Sequence, residues 1–306
     1  MNMKHWQAIA IFTIGAGLYG FTPIFAKLNF SAGYSLAQLV VAQMTLAAVI
    51  LWSIAFLKRK RLNVTKKQAI LLMLAGTCNG ITGVFYYSAM KYVPASIAIV
   101  LLFQFIWVGV LYEWILDKKR PDRLTIISVL LTLLGVFFAA NVVTGDFSKL
   151  PIIGIVFGLL SAFSYAAFII VSGRVATEID PLIRAPLMIT GSMIFVYLLF
   201  RPTFLLTEDI FQTYWLYGLG GALFAAVLPP LCFAISAPHL SSSLATILGS
   251  IELPVAVIAA SIFLSETVTF FQWIGILLII AAISFKEMVL FHVKKRRKKL
   301  DISSAK

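Results

Sequence analysis

Charged residues are scarce in this sequence. They make up 12% of its 306 residues, about half the share of an ordinary globular domain, and together with 61% hydrophobic residues this excludes a water-soluble fold. Histidine and cysteine are nearly missing too. His5, His239 and His292 fall at or near the ends of apolar runs, so none stands where it would activate a serine at mid-membrane depth. There is no H-E-x-x-H pair for zinc and no G-x-x-x-x-G-K-[ST] loop for a nucleotide. Cys78 and Cys232 lie inside apolar runs and read as two small buried residues, which gives no disulfide framework. No cofactor, metal or catalytic residue is therefore expected, and energy for any work must come from gradients. The apolar runs also lack the alternation of a membrane β-barrel.

Long apolar runs are what the sequence has. A hydrocarbon core about 30 Å thick takes about 20 helical residues per crossing. Ten runs of that order follow one another, over 7–27, 34–57, 68–90, 94–116, 123–142, 151–173, 182–200, 213–236, 241–264 and 269–290. The expected fold class is an all-α polytopic membrane protein. The first run carries no small-x-small cleavage site and leads into further spans, so it is expected to stay in place as a span.

The net charge of +13 would fit a nucleic-acid partner if it formed one patch, but the basic residues follow the loops. Of 25 Lys and Arg residues, 21 lie at the amino end, in the loops after spans 2, 4 and 6, and at the carboxyl end; Arg184 is counted in the third of those loops. The remaining four are Lys27, Lys91, Lys149 and Arg201. By the positive-inside rule both termini are expected in the cytoplasm. The basic tail 293–306 is read as a stop-transfer anchor, with anionic lipid or nucleic acid as the alternatives for its KKRRKK run.

One carboxylate sits at depth. A charge there costs about 2.5 to 3.5 kcal/mol on insertion scales, so Glu252, near the middle of the ninth run, calls for a reason. At helical spacing Ala245, Gly249, Glu252, Ala256 and Ala259 share a small stripe, expected against protein. Leu244, Leu248, Ile251, Val255, Ile258 and Ile262 share a bulky stripe, expected against lipid. Pro254 removes a backbone hydrogen bond mid-span, which is tolerated beside a cavity or a neighbouring helix. Glu252 is thus expected to line an internal cavity.

Other spans carry polar groups that would join it. The first has Tyr19 beside Gly17, Gly20 and Pro23. In the third, Gly76, Asn79, Gly83 and Tyr86 form one stripe whose amide serves either as interhelical glue or as a ligand contact. Span four has Gln104 with Trp107 one turn on, and its end carries Glu113 and Asp117, expected to pair with the adjacent lysines and arginines. In the sixth, Gly154, Gly158, Ser161, Tyr165 and Ser172 form a small polar face expected to point inward. Pro229 and Pro230 should kink the eighth.

The two halves repeat. MKYVPASIAIVLLFQFIWVGVLYEWILDKK aligns on PHLSSSLATILGSIELPVAVIAASIFLSET at a displacement of 148 residues, falling to 147 further on, which sets Gln104 opposite Glu252. Five spans is an odd number, so the second copy, 146–292, must be inverted relative to the first, 1–145. Inverted repeats with a midplane site are the architecture of many secondary transporters.

The stretch YGFTPIFAK resembles the W-G-x-x-F-x-x-x-K region of the drug/metabolite transporter superfamily. ELPVAVIAASIFLSETVTFFQWIGILLIIAA is similar to the E-P-x-x-A and L-G-E signature of its ten-helix EamA-type members. Ser265 replaces the glycine usual before Glu266, and the first copy has LDKKRPD where a glutamate motif is expected. Glu266 itself, at the start of the last span, suits the helix dipole. The resemblance covers nearly the whole chain and implies an exporter or exchanger of small metabolites working by alternating access.

Three functions stand at this point. One is a secondary transporter whose cavity is lined by spans 1, 3, 4, 6, 8 and 9, with Tyr19, Asn79, Gln104, Trp107, Tyr165 and Glu252 contributing. Another is a membrane scaffold in which Glu252 merely hydrogen-bonds a neighbouring helix. The third, an intramembrane enzyme, is disfavoured by the absence of paired carboxylates or histidine at depth. An acid, two amides and several aromatic rings suit a small amphipathic or cationic solute such as an amino acid or amine. Burial disfavours the charged form of a carboxylate, so Glu252 is also a candidate proton carrier, with a fixed counter-ion or a permanent hydrogen-bond donor as the alternatives. Nothing in the sequence sets an oligomeric state.

Overall fold

Most of the apolar runs are started by a residue that satisfies the N–H groups of the first helical turn. Ser35 and Thr65 form capping boxes with Gln38 and Gln68. Asp122, Ser241 and Thr269 accept from the backbone N–H of Thr125, Leu244 and Gln272. The computed structural model shows the outcome. The helices are α1 (His5–Ser31), α2 (Leu36–Leu57), α3 (Lys66–Ala89), α4 (Ser96–Asp117), α5 (Arg123–Ala139), α6 (Ile152–Arg174), α7 (Pro181–Phe200), α8 (Tyr214–His239), α9 (Ser242–Phe263) and α10 (Phe270–Ser284). Eight are long and apolar enough to cross a membrane; α5 and α10 are shorter. The structure describes residues 3–60, 63–141, 151–207, 212–265 and 267–284. The expected boundary at 145/146, Lys149, the second tip of the tenth span, Glu266 and the basic tail 293–306 lie outside the described residues.

The helices form two inverted five-helix repeats, and their packing shows the pseudo-two-fold directly. α1 lies on α8 as α6 lies on α3; α2 lies on α8 as α7 lies on α3; α1 meets α9 as α6 meets α4. The self-related pairs α2–α7 and α4–α9 pack on each other, and Gln272 of α10 donates to Ala139 O of α5. The halves therefore interdigitate. Contact is closest between α3 and α7, where a Cβ on Gly76 or Gly191 would collide with the facing backbone of Met188 or Met73, so two glycines let these helices touch. The face holding the start of α1 and the end of α10 is called the terminal face below, the other the far face.

Three helices are interrupted at mid-depth. α1 breaks at Gly20–Phe21, α4 at Phe103–Gln104 and α9 at Ser250–Ile251. In α4 the bonds Gln104 N to Leu101 O and Ile106 N to Phe103 O span three residues, and in α9 Ile251 N to Leu248 O and Leu253 N to Ser250 O do the same. These breaks share a register. The helix starts at Pro94 and Ser241, the tight turns, and the left-handed ends at Lys118 (φ 55°) and Ser265 (φ 55°) are all 147 residues apart. That corrects the side-chain alignment: Gln104 is opposite Ile251, and the residue opposite Glu252 is Phe105. α8 is distorted differently, with a π-helical turn at Ala222–Val227 just before Pro229 and Pro230, whose missing N–H groups break the regular ladder.

Two further expectations change. Leu244 and Leu248, assigned to lipid, are buried, while Ile258 and Ile262 on the far side of the break are exposed, because the turn at Ser250 swings the bulky stripe from protein to exterior. Arg184, counted as a loop charge, is buried in α7. Its Nη1 donates to Ala234 O at 2.9 Å and Nη2 to Ser172 O. Ala234 O is left over because its usual partner four residues on is Pro238, and Ser172 O lies in the last turn of α6. Arg184 thus ends two helices at once.

Candidate functional site

The break in α9 leaves Glu252 as the first residue of a new half-helix, Glu252–Leu264. Pro254 then falls in a first turn, where its missing N–H is harmless, so the interruption and not the proline's lost bond exposes this level of the helix. The break in α1 fits against it. A Cβ on Gly20 would come within 2.7 Å of Glu252 O and Ala256 N, so only glycine lets the two interrupted helices meet here.

Tyr165 of α6 donates to Glu252 Oε2 at 3.1 Å. Its ring meets Phe105 edge-on at 4.7 Å between centroids, and Tyr19 at 5.6 Å. Tyr19 in turn donates to Asn79 Oδ1 at 3.4 Å. A chain of aromatic and polar groups therefore runs from the carboxylate of α9 through α6 and α1 to the amide of α3. It forms the floor of a cavity also lined by Thr22, Gln43, Met44, Tyr86, Tyr87 and Ala225.

The lining is sparing in charge. Glu252 is its one ionisable acid, and no lysine, arginine or histidine belongs to it. Three buried side-chain atoms around it, Thr22 Oγ1, Gln43 Oε1 and Asn79 Nδ2, have no hydrogen-bond partner. Ala225 lines the cavity as well. Its carbonyl has lost its helical partners, since positions 229 and 230 are prolines and Leu228 N–H goes to Leu223 O. A wall with a carboxylate, amide and carbonyl oxygens and four phenol rings favours a small donor-rich solute, above all an ammonium.

The cavity occupies the far half of the helix bundle. Towards the terminal face it is closed by packed rings: Phe12 stacks on Phe233 at 4.2 Å and 2°, and Phe168 lies 6.2 Å from Phe233.

Of the six residues singled out in the sequence, Tyr19, Asn79, Tyr165 and Glu252 come together here. Gln104 and Trp107 do not. Trp107 Nε1 donates to Gln104 Oε1 at 2.8 Å, and Gln104 Nε2 donates back to Val100 O, so the pair satisfies itself away from the cavity lining, as the 147-residue register requires. α2 contributes instead of being a bystander, through Gln43, which is 4% exposed. A lone amide in the apolar run VVAQMTLAAV was the available signal for it. Glu113 differs from expectation, accepting from Ser243 N, while Asp117 pairs with Arg174 across the molecule and also interacts with the adjacent Lys119.

Comparison with known proteins agrees with this architecture. A crystal structure of a protein with 14% identity superposes with a TM-score of 0.76, covering 94% of this chain and all of that one, which speaks to the fold. The threonine/homoserine exporter RhtA of Escherichia coli (strain K12) is 29% identical over 266 residues, 86% of each chain. That of Salmonella typhimurium (strain LT2) is 29% identical over 245 residues, 79% of each. The model of the EamA-like transporter family matches twice, over residues 6–141 and 152–286. With each repeat matched separately and little of the sequence left outside, the chain belongs to the EamA-like transporter family, whose members are transporters and not enzymes.

Proposed function

We propose that this protein is a secondary exporter of small amino-acid or amine solutes in the inner membrane, working by alternating access and exchanging solute for protons at Glu252. The observation that carries the reading is the site itself: one carboxylate, bonded by a single phenol, at the junction of two interrupted helices in a cavity without basic groups. The relatives named for threonine and homoserine export support an amino acid as the solute. In this reading both termini are cytoplasmic, each repeat (1–145 and 146–292) is one unit of the cycle, and the cavity lies on the outer half. A solute ammonium and a proton are alternative occupants of the same carboxylate. Outside, Glu252 takes up a proton as the solute leaves; inside, it yields the proton as the next solute binds.

Purified protein in vesicles tests this. With a pH gradient imposed, labelled threonine, homoserine or a simple primary amine is expected to accumulate, and an anion such as succinate is not. Failure of every amino acid and amine to move with the gradient would remove the reading.

A further inference from the structure

At the terminal face, two half-helices end against each other. One is Phe105–Asp117, the part of α4 beyond its break, and the other is Ser242–Gly249, the part of α9 before its break. Each is therefore joined to the rest of its helix by a mid-depth turn held by three-residue hydrogen bonds. Where they meet, two side chains fasten them. Glu113 accepts from the backbone N–H of Ser243 in the first turn of α9, a place where a carboxylate satisfies an otherwise unpaired donor and the positive end of the helix dipole. Arg174, at the end of α6, holds both carboxylate oxygens of Asp117 at 2.8 and 2.7 Å and donates to Ser242 Oγ at 3.1 Å.

We infer that Arg174 and Glu113 latch the terminal halves of α4 and α9 into a gate that closes the cavity towards the terminal face, swinging on the turns at Phe103–Gln104 and Ser250–Ile251. The latch is weak in the way a gate requires. Both partners of the Arg174–Asp117 pair keep about a third of their side-chain surface exposed, so solvent screens the pair and it is readily broken and remade. The latch also has an internal control. Lys60 pairs with Asp180 and Gln68 with Glu178 on the same face, but α2, α3 and α7, which these hold, are not interrupted. Burial pushes the Asp180 carboxyl up, and the Lys60 ammonium and Leu182 N–H outweigh that and hold it below the ordinary carboxylate range, so Asp180 stays charged at neutral pH.

The test reads conformation and does not depend on which solute is carried. In protein with Cys78→Ser and Cys232→Ser, two reporters are labelled with a membrane-impermeant thiol reagent: Ile169→Cys, buried below Arg174 towards the terminal face, and Thr82→Cys in the cavity. Asp117→Asn is expected to raise terminal-side labelling at 169 about two- to fivefold, the range for a partly exposed pair, and to lower far-side labelling at 82. The double variant Asp117→Arg, Arg174→Asp should bring both back towards the parent. Lys60→Ala should change neither. The gate is refuted if labelling at 169 stays at the parent level, if both reporters rise together as in a loosened fold, or if Lys60→Ala acts like Asp117→Asn.

Discussion

α4 and α9 are the same helix built twice. They start, break and end at matching positions 147 residues apart, yet at the place where α9 has Glu252, α4 has Phe105, fully buried and packed edge-on against Tyr165. One tyrosine thus faces both copies, bonding the carboxylate of one and stacking on the ring of the other. The duplicated backbone supplies the interruption at mid-depth, and the chemistry has settled in a single copy. A symmetric frame carries an asymmetric site, with its one carboxylate in the second copy.

The same contrast holds elsewhere in the halves. Four residues after the N-cap of α7, Asp180, stands Arg184, and four residues after the N-cap of α2, Ser35, stands Leu39. Arg184→Met leaves two buried carbonyls without donors, at about 1–3 kcal/mol each, so a loss of about 2–6 kcal/mol is expected as a lowered melting temperature in detergent. Leu39→Met should cost far less, and an equal loss at both would erase this difference between the halves. Next comes Gly20, on which the interrupted α1 rests against α9. Gly20→Val forces a side chain into backbone at 2.7 Å and should cost about 1–3 kcal/mol of stability, with most transport lost because Glu252 is displaced. Ala167→Val, in the uninterrupted α6, is the comparison.

Smaller effects sharpen the site. Tyr165→Phe keeps the ring on Phe105 and removes only the hydrogen bond to Glu252, so solute affinity should fall about two- to tenfold with the melting temperature little changed. Gln104→Leu breaks only the local bonds to Trp107 and to Val100 O and should alter transport less than twofold, as expected where both bonds lie within one helix and away from the cavity lining. A large transport defect there would restore Gln104 as the partner of Glu252 and overturn the register.

The sequence made the frame legible and the register not. The run of apolar helices and the inversion follow from apolar length and from an odd repeat. The register slipped by one residue because pairing Gln104 with Glu252 maximises side-chain likeness, while the backbone follows the helix starts at Pro94 and Ser241. Glu252, Tyr165, Tyr19 and Asn79 were readable as polar groups on small-residue stripes. Gln43 was visible as an amide in an apolar run, but nothing local told that it meets the cavity, because that depends on how α2 packs against the second repeat. Arg184 looked like a loop charge because its acceptors, Ser172 O and Ala234 O, come from two other helices. No local pattern reports such a contact.

The most direct measurement is proton-driven accumulation by reconstituted Glu252→Gln, which keeps the shape of the side chain and removes its titration. Accumulation against a gradient is predicted to disappear while solute-for-solute exchange persists with little dependence on pH. If the variant still concentrates solute when driven by pH, the single carboxylate of the second repeat is not where proton and solute meet.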